Sequence, residues 1–151
     1  MPKSLILSKM SEKLAPYTTV KPVIIPDSGW VASIRQSLNM TMEQLGQKMN
    51  ITRQGVRQLE KREQEGSISL NTMREVANAL DMQLVYAIVP KTETLEAHVE
   101  KKARVFARET LLSTNQQMRL EGQAVDDERL KRAIDDMVAE AVRVVDRQLW
   151  D

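Results

Sequence analysis

Arg53, Gln54, and Arg57 or Gln58 are long, polar and crowded into the start of one predicted helix. Their types suit one chemistry. A guanidinium pairs bidentately with guanine, and a glutamine amide pairs bidentately with adenine. Arg57 or Lys48 can equally bind phosphate, which positions a protein without specifying a sequence. Thr52, just ahead of this set, can cap the helix and so aim its N-terminal amides at phosphate and base edges. Thr41 starts the preceding helix, and Gln44 completes a capping box with it. Thr41, Thr52, Arg53, Gln54, Arg57 and Gln58 are therefore the candidate nucleic-acid contacts.

The elements that must hold these residues lie in TMEQLGQKMNITRQGVRQLE, Thr41 to Glu60. Leu45, Met49, Ile51, Val56 and Leu59 are apolar where the two helices should face the body. Gly46 is small where the helices should approach most closely. Asn50 falls at the turn, where a left-handed backbone is required and Asn tolerates it. Residues 28–80 read as four helices. Ser28 is expected to cap the first, with Val31, Ile34 and Leu38 inward. Ser69 or Asn71 is expected to cap the fourth, with Met73, Val76, Ala77 and Leu80 inward. Met82–Val89 alternates, is rich in β-branched residues and stops at Pro90, which predicts one short strand. A lone strand needs a partner, either the Val23–Ile25 arm or its own twin across a dimer axis. A second candidate dimer seam is the helix over Leu130–Leu149.

Residues 1–27 contain four prolines and four lysines, with room for a helix at Ser4–Leu14 and an arm over Thr18–Pro26. The arm is either a tether packed on the body or a contact to phosphate. Residues 91–151 read as helical. Leu95, Val99, Ala103 and Phe106 keep one stripe. Leu130, Ile134, Met137, Val138, Ala141, Val142 and Val145 keep another. Between them Ser113–Val125 has turn chemistry at Gly122, and Asp126 and Asp127 suit the start of the last helix.

The inventory excludes much. With no Cys and one His in 151 residues, there is no thiolate chemistry, no multi-His zinc site and no His-paired nucleophile triad with spare parts. There is no glycine-rich phosphate loop, and no paired-carboxylate motif with supporting context. No enzyme, cofactor or metal is expected. His98 is expected on an exposed face. Asp126, Asp127, Asp135 and Asp136 alternate with Lys131 and Arg132, as on a solvated helix face. Trp150 is expected to anchor the tail into the body or a dimer seam. Residues 1–90 carry 11 Lys/Arg against 8 Asp/Glu, and residues 91–151 carry 11 against 13. Any attraction to a polyanion belongs to the front. No apolar run approaches the ~18 residues of a membrane span, and the Leu5–Leu7 patch is too short for a signal peptide. A cytoplasmic protein is the expectation.

The Thr41–Glu60 segment resembles the repressor-type (Cro/repressor-like) class of helix-turn-helix proteins. That resemblance makes Thr52–Arg62 the recognition helix. It also makes Arg35 and Glu60 an internal salt bridge, a scaffold rather than a reader. Where the class often has a phosphate-contacting Gln, this sequence has Met42. More of the chain resembles the mobile mystery protein A family. The likeness runs from GWVASIRQSLNM at Gly29, through VRQLEKREQEGSISL and LVYAIVP, to MRLEGQ and the terminal Leu149–Trp150. Members are typically encoded beside a Fic-domain protein, an AMP transferase. Small Fic antitoxins carry an inhibitory pattern of Ser/Thr, three residues, Glu, then Gly or Asn. Glu121 and Gly122 match its end, and Gln117 stands at its start. The Glu would compete for the arginine that holds the ATP γ-phosphate.

Together these features predict an all-α fold: a lambda-repressor-like helix-turn-helix bundle with one short β-strand and a C-terminal helical extension. The expected divisions are an arm at 1–27, a DNA-binding domain at 28–90 and a helical region at 91–151. The expected function is operator binding by a homodimer on palindromic double-stranded DNA, joined to inhibition of a Fic partner through Gln117, Glu121 and Gly122. The alternative is a plain repressor whose C-terminal helices serve only dimerisation or effector sensing.

Overall fold

The computed structural model describes residues 1–20, 22–91, 94–122 and 126–151. Among the described residues seven α-helices follow one another: α1 (Lys3–Thr18), α2 (Trp30–Ser37), α3 (Met42–Met49), α4 (Arg53–Glu65), α5 (Leu70–Ala79), α6 (Leu95–Leu120) and α7 (Asp127–Val144). A 3₁₀ turn, Arg147–Trp150, ends the chain. The chain divides into two compact units. One is Pro22–Tyr86, and the other combines Met1–Lys21 with Ala87–Asp151.

The Pro22–Tyr86 unit holds α2 to α5 around Val31, Leu45, Val56, Leu59, Val76 and Leu80. Val56 and Leu59, and Val76 and Leu80, stand three and four residues apart, and the partly buried Ile34 and Met49 extend Val31 and Leu45 at the same spacings, so that four short helices share one core. The helices are too short to persist alone in water. Capping therefore matters: Thr41, Thr52 and Ser69 each accept a hydrogen bond from the backbone N–H three residues on. Asn71 instead accepts from Arg74. Two local expectations are corrected. Gly29, not Ser28, occupies the N-cap of α2, and the Ser28 hydroxyl lies 2.8 Å from that of Ser33. Leu38 sits just past the end of α2 and is exposed, because the chain leaves the helix at Asn39 in a left-handed conformation.

The expected strand is absent. Among the described residues there is no β-ladder, and Met82–Val89 lies outside any helix or sheet. Its alternating, β-branched sequence favours strand-like backbone but cannot supply a partner. The Val23–Ile25 arm does not supply one either, since no backbone hydrogen bond joins the two. The described fold is all-α.

In the second unit α6 packs on α7 around Val99, Ala103, Ala107, Val138, Ala141 and Leu149. Val99, Ala103 and Ala107 are spaced four apart, so they line one stripe of α6. The two alanines are fully buried and allow close approach of the helices. Ile134, Met137, Val142 and Val145 complete the α7 side. Arg104 adds a bond to Asp135 across the pair at 3.1 Å. Asp135 and Glu100 hold the Arg104 guanidinium above its ordinary pKa by hydrogen bonding. Asp126 caps α7 through the Arg129 N–H. Val145 then takes a left-handed conformation, φ 49°, uncommon for a β-branched residue. The reversal sends Leu149 into the core and stacks Trp150 on His98, ring centroids 5.8 Å apart. His98 is accordingly half-buried rather than on an open face.

Helix α1 is longer than the expected Ser4–Leu14, because it runs on through Pro16. Thr18 and Thr19 hydroxyls donate to the Ala15 and Pro16 carbonyls in its last turn. It packs along α6, where the Ser11 hydroxyl donates to Glu96 and accepts from the Leu95 N–H. One hydroxyl thus ties α1 to the N-terminus of α6. Residues 123–125 lie outside the described residues, and with them Gln123 of the MRLEGQ segment and the end of the expected Ser113–Val125 turn region.

Candidate nucleic-acid interface

The geometry between α3 and α4 begins with Gly46. A Cβ there would lie 2.6 Å from the Ile51 carbonyl oxygen, an impossible distance to a backbone atom. The absence of a side chain lets the Ile51 N–H reach the Gly46 carbonyl at 2.9 Å. Asn50 supplies the left-handed step, φ 56° and ψ 38°. These two residues set where α4 starts relative to α3. Both termini are then capped. Thr41 Oγ1 accepts from the Gln44 N–H at 3.1 Å, and Gln44 Oε1 accepts from the Thr41 N–H at 2.8 Å. Thr52 Oγ1 accepts from the Gly55 N–H at 3.0 Å.

Val56, Leu59 and Glu60 bury one side of α4. Arg53, Gln54, Arg57 and Gln58 lie on the other and are all exposed. At 3.6 residues per turn these four span about 140° of helix surface. None of them has a hydrogen-bond or ion-pair partner among the described residues. Other charges on α4 are engaged, Lys61 with Glu65 and Glu60 with Arg35 of α2, while Arg62 is exposed near the end of the helix. Arg53 shares one surface depression with Met42, Gln54 and Arg57. It shares another with Arg35, Thr41, Met42 and Glu43. The starts of α3 and α4 are thus brought together, with the aliphatic Met42 between them. Lys48 lies in a separate depression with Gln44 and Gln47.

Arg35 and Glu60 are both buried. Arg35 Nε and Nη2 donate to Glu60 at 2.6 and 3.2 Å, and Nη1 donates to the Met40 carbonyl at 2.9 Å. This fork ties α2 to the middle of α4 and to the loop leading into α3.

Glu63 escaped sequence reasoning. Its carboxylate accepts from the Trp30 and Val31 N–H groups at 2.6 and 2.9 Å, so α4 caps the N-terminus of α2. Gly29 makes this possible. It has φ 82°, and a Cβ there would press on the same carboxylate at 2.8 Å. Gln64 adds a bond to the Asp27 carbonyl. The only hint in the sequence is the spacing of Glu63 three residues beyond Glu60, on the same helix side.

Residues 31–86 match the helix-turn-helix family model HTH_3. The chain carries a helix-turn-helix domain. Such domains are DNA-binding modules with no catalytic role, and they place their second helix at the nucleic acid. No curated protein matches the chain, and no solved structure matches it. Among the described residues no group of three or more His, Asp or Glu could hold a metal ion. No described helix is long and apolar enough to cross a membrane.

The second set of candidates, Gln117, Glu121 and Gly122, lies at the far end of α6. The Glu121 N–H donates to the Gln117 carbonyl at 3.2 Å, closing the last helical turn. Gly122 follows at φ 72°, with open space around it. The side chains of Gln117, Leu120 and Glu121 are exposed, Leu120 at 89%.

Proposed function

We propose that this protein is a sequence-specific transcriptional regulator that reads double-stranded operator DNA with α4. Arg53 and Gln54 meet base edges in the major groove, Arg57 and Gln58 extend the contact, and the capped starts of α3 and α4, at Thr41 and Thr52, face phosphate. The single observation that carries the reading is the free state of those four side chains. Long polar groups on a fixed helix, without partners of their own, are available to a ligand. One recognition helix covers too few base pairs, so the reading calls for a homodimer on a palindromic site. In this reading residues 28–90 bind DNA, and the C-terminal helices serve the assembly or its response to an effector. The test is a gel-shift titration with Arg53→Ala combined with Gln54→Ala. Loss of specific retardation with an unchanged helical spectrum is expected. Retardation equal to wild type would exclude α4 as the reader.

The likeness to mobile mystery protein A supports a second role, that of antitoxin to a Fic-domain protein. The observation in its favour is the exposed end of α6, where Glu121 and the apolar Leu120 stand clear of the body. Gln117 lies one turn earlier on the same face. Co-expression of a cognate Fic protein with Glu121→Gly tests it. AMP transfer released by the variant supports the role, and suppression equal to wild type removes Glu121 from it.

A further inference from the structure

Among the described residues Met82–Val89 is held only at two points: the Met82 N–H donates to the Ala77 carbonyl, and the Arg74 guanidinium donates to the Tyr86 hydroxyl and lies over its ring. Residues 82–90 carry no charge in a chain that is 28% charged. Met82, Val85, Tyr86, Ile88 and Val89 are between 41% and 90% exposed. No backbone–backbone hydrogen bond joins Gln83–Val89 to any other described segment. Apolar side chains and open N–H and C=O groups on one β-prone stretch are a template for strand pairing.

The other candidate seams are spoken for or unsuited. The apolar stripe of α7 is already turned onto α6, with Val138 and Ala141 buried there. Val23–Ile25 is exposed and apolar, but it is three residues long and bounded by Pro22 and Pro26. Proline cannot donate to a ladder, so that arm offers almost no pairing length.

We propose that the partner of Met82–Val89 is the same segment of a second copy, paired antiparallel about a two-fold axis. The contact is isologous, so it closes at two chains. The absence of charge means that no like charges meet across the axis. Tyr86, at 150–250 Å² for an aromatic side chain, and the exposed parts of Met82, Val85, Ile88 and Val89 set a ceiling of roughly 500 Å² per copy, or about 1,000 Å² for a pair, since alternate side chains face opposite sides of the ribbon. That ceiling lies at the lower bound for a specific interface, so the strand ladder itself must supply much of the contact. An apolar groove of about 240 Å³ lies beside the segment, lined by Trp30, Ile34, Met73, Met82, Leu84 and Val85. It offers room for apolar side chains of the second strand. The choice of a second copy rests partly on the operator-binding reading, which requires two recognition helices.

The natural chain has no cysteine, so the seam can be mapped with single-Cys variants at each position from 83 to 89. In an antiparallel pair a residue on the axis lies ~5 Å from its twin. Each step away separates twins by about 7 Å more along the strand. A disulfide needs Cα atoms within about 7 Å. Mild oxidation of the full-length variants should therefore give cross-linked dimer at the one position on the axis, with its immediate neighbours weaker and a fall of at least tenfold two residues away. Ile24→Cys, in the arm, should stay uncross-linked, and light scattering should report a dimer without DNA. A monomeric mass, a flat cross-linking profile, or a peak at Ile24→Cys would overturn the proposal. DNA binding is read separately. A cross-linked dimer that binds no DNA leaves the seam standing and removes the operator reading. A monomer that binds a single half-site removes the seam and leaves the reading.

Discussion

Replacing Glu60 by Leu should cost the helix-turn-helix unit far more than replacing Glu60 and Arg35 together. In Glu60→Leu the Arg35 guanidinium stays buried, keeping only its bond to the Met40 carbonyl. An uncompensated buried charge costs about 3–5 kcal/mol. That is a large fraction of the stability of a small domain, ~5–15 kcal/mol. In Arg35→Met/Glu60→Leu no charge is left. Apolar replacement of a buried pair is neutral or stabilising by about 1–4 kcal/mol. Against this, the Met40 carbonyl loses its donor, at about 1–3 kcal/mol. The double variant should then fall within about 2–3 kcal/mol of wild type, far short of the sum of the two single losses, so the cycle should be strongly non-additive. Each unit holds one of the two tryptophans, Trp30 and Trp150. Denaturant melts followed by Trp30 fluorescence in a Trp150→Phe background report the right unit. The folded double variant should still shift operator DNA. If it is no more stable than Glu60→Leu, the pair is not acting as a coupled scaffold. If it is stable but no longer binds DNA, Arg35 is a reader after all.

Gly46→Ala should lose about 1–3 kcal/mol from overpacking against the Ile51 carbonyl, despite Ala being the better helix former by about 1 kcal/mol. Gly55→Ala, whose Cβ meets only Ile51 and Thr52 side-chain atoms at 3.3 Å or more, should be near neutral, and equal melts for the two would contradict the close-approach argument. Glu63→Ala should cost about 1–2 kcal/mol by uncapping α2, seen as a lower denaturation midpoint with the same m-value. Leu149→Ala should destabilise the C-terminal unit by about 2–5 kcal/mol, read from Trp150 fluorescence, while the Trp30 transition marks the other unit.

The helix-turn-helix was legible because its determinants are local. Thr41 with Gln44, Thr52 with Gly55, and Asn50 at the turn each act over three residues or fewer, so the spacing alone states the contact. Gly46 was legible for a related reason, since a lone glycine between apolar helix positions implies close approach. Arg35 and Glu60 are 25 residues apart and came from the likeness to repressor-type proteins, not from spacing. Glu63 is 33 residues from Trp30, and nothing near it announced that a carboxylate would replace Ser28 as the cap of α2. Ile51 was placed inward with its neighbours and is 38% exposed, because it belongs to the turn itself rather than to a helix face. The strand failed for a different reason. Alternation at Met82–Val89 encodes a preference, while a ladder requires a second strand, and none pairs with it among the described residues. His98 gained its stacking partner from Trp150 only once the left-handed Val145 turned the tail back.

The central claim is that α4 reads DNA sequence as one half of a two-fold pair. It is met most directly by selecting bound sequences from a randomised DNA pool with the wild-type chain and measuring the salt dependence of the winners. The account predicts a two-fold symmetric consensus with half-sites one helical turn apart, ~34 Å between centres, and affinity falling linearly on logarithmic axes as salt rises. An unenriched pool, or binding indifferent to salt, would contradict it.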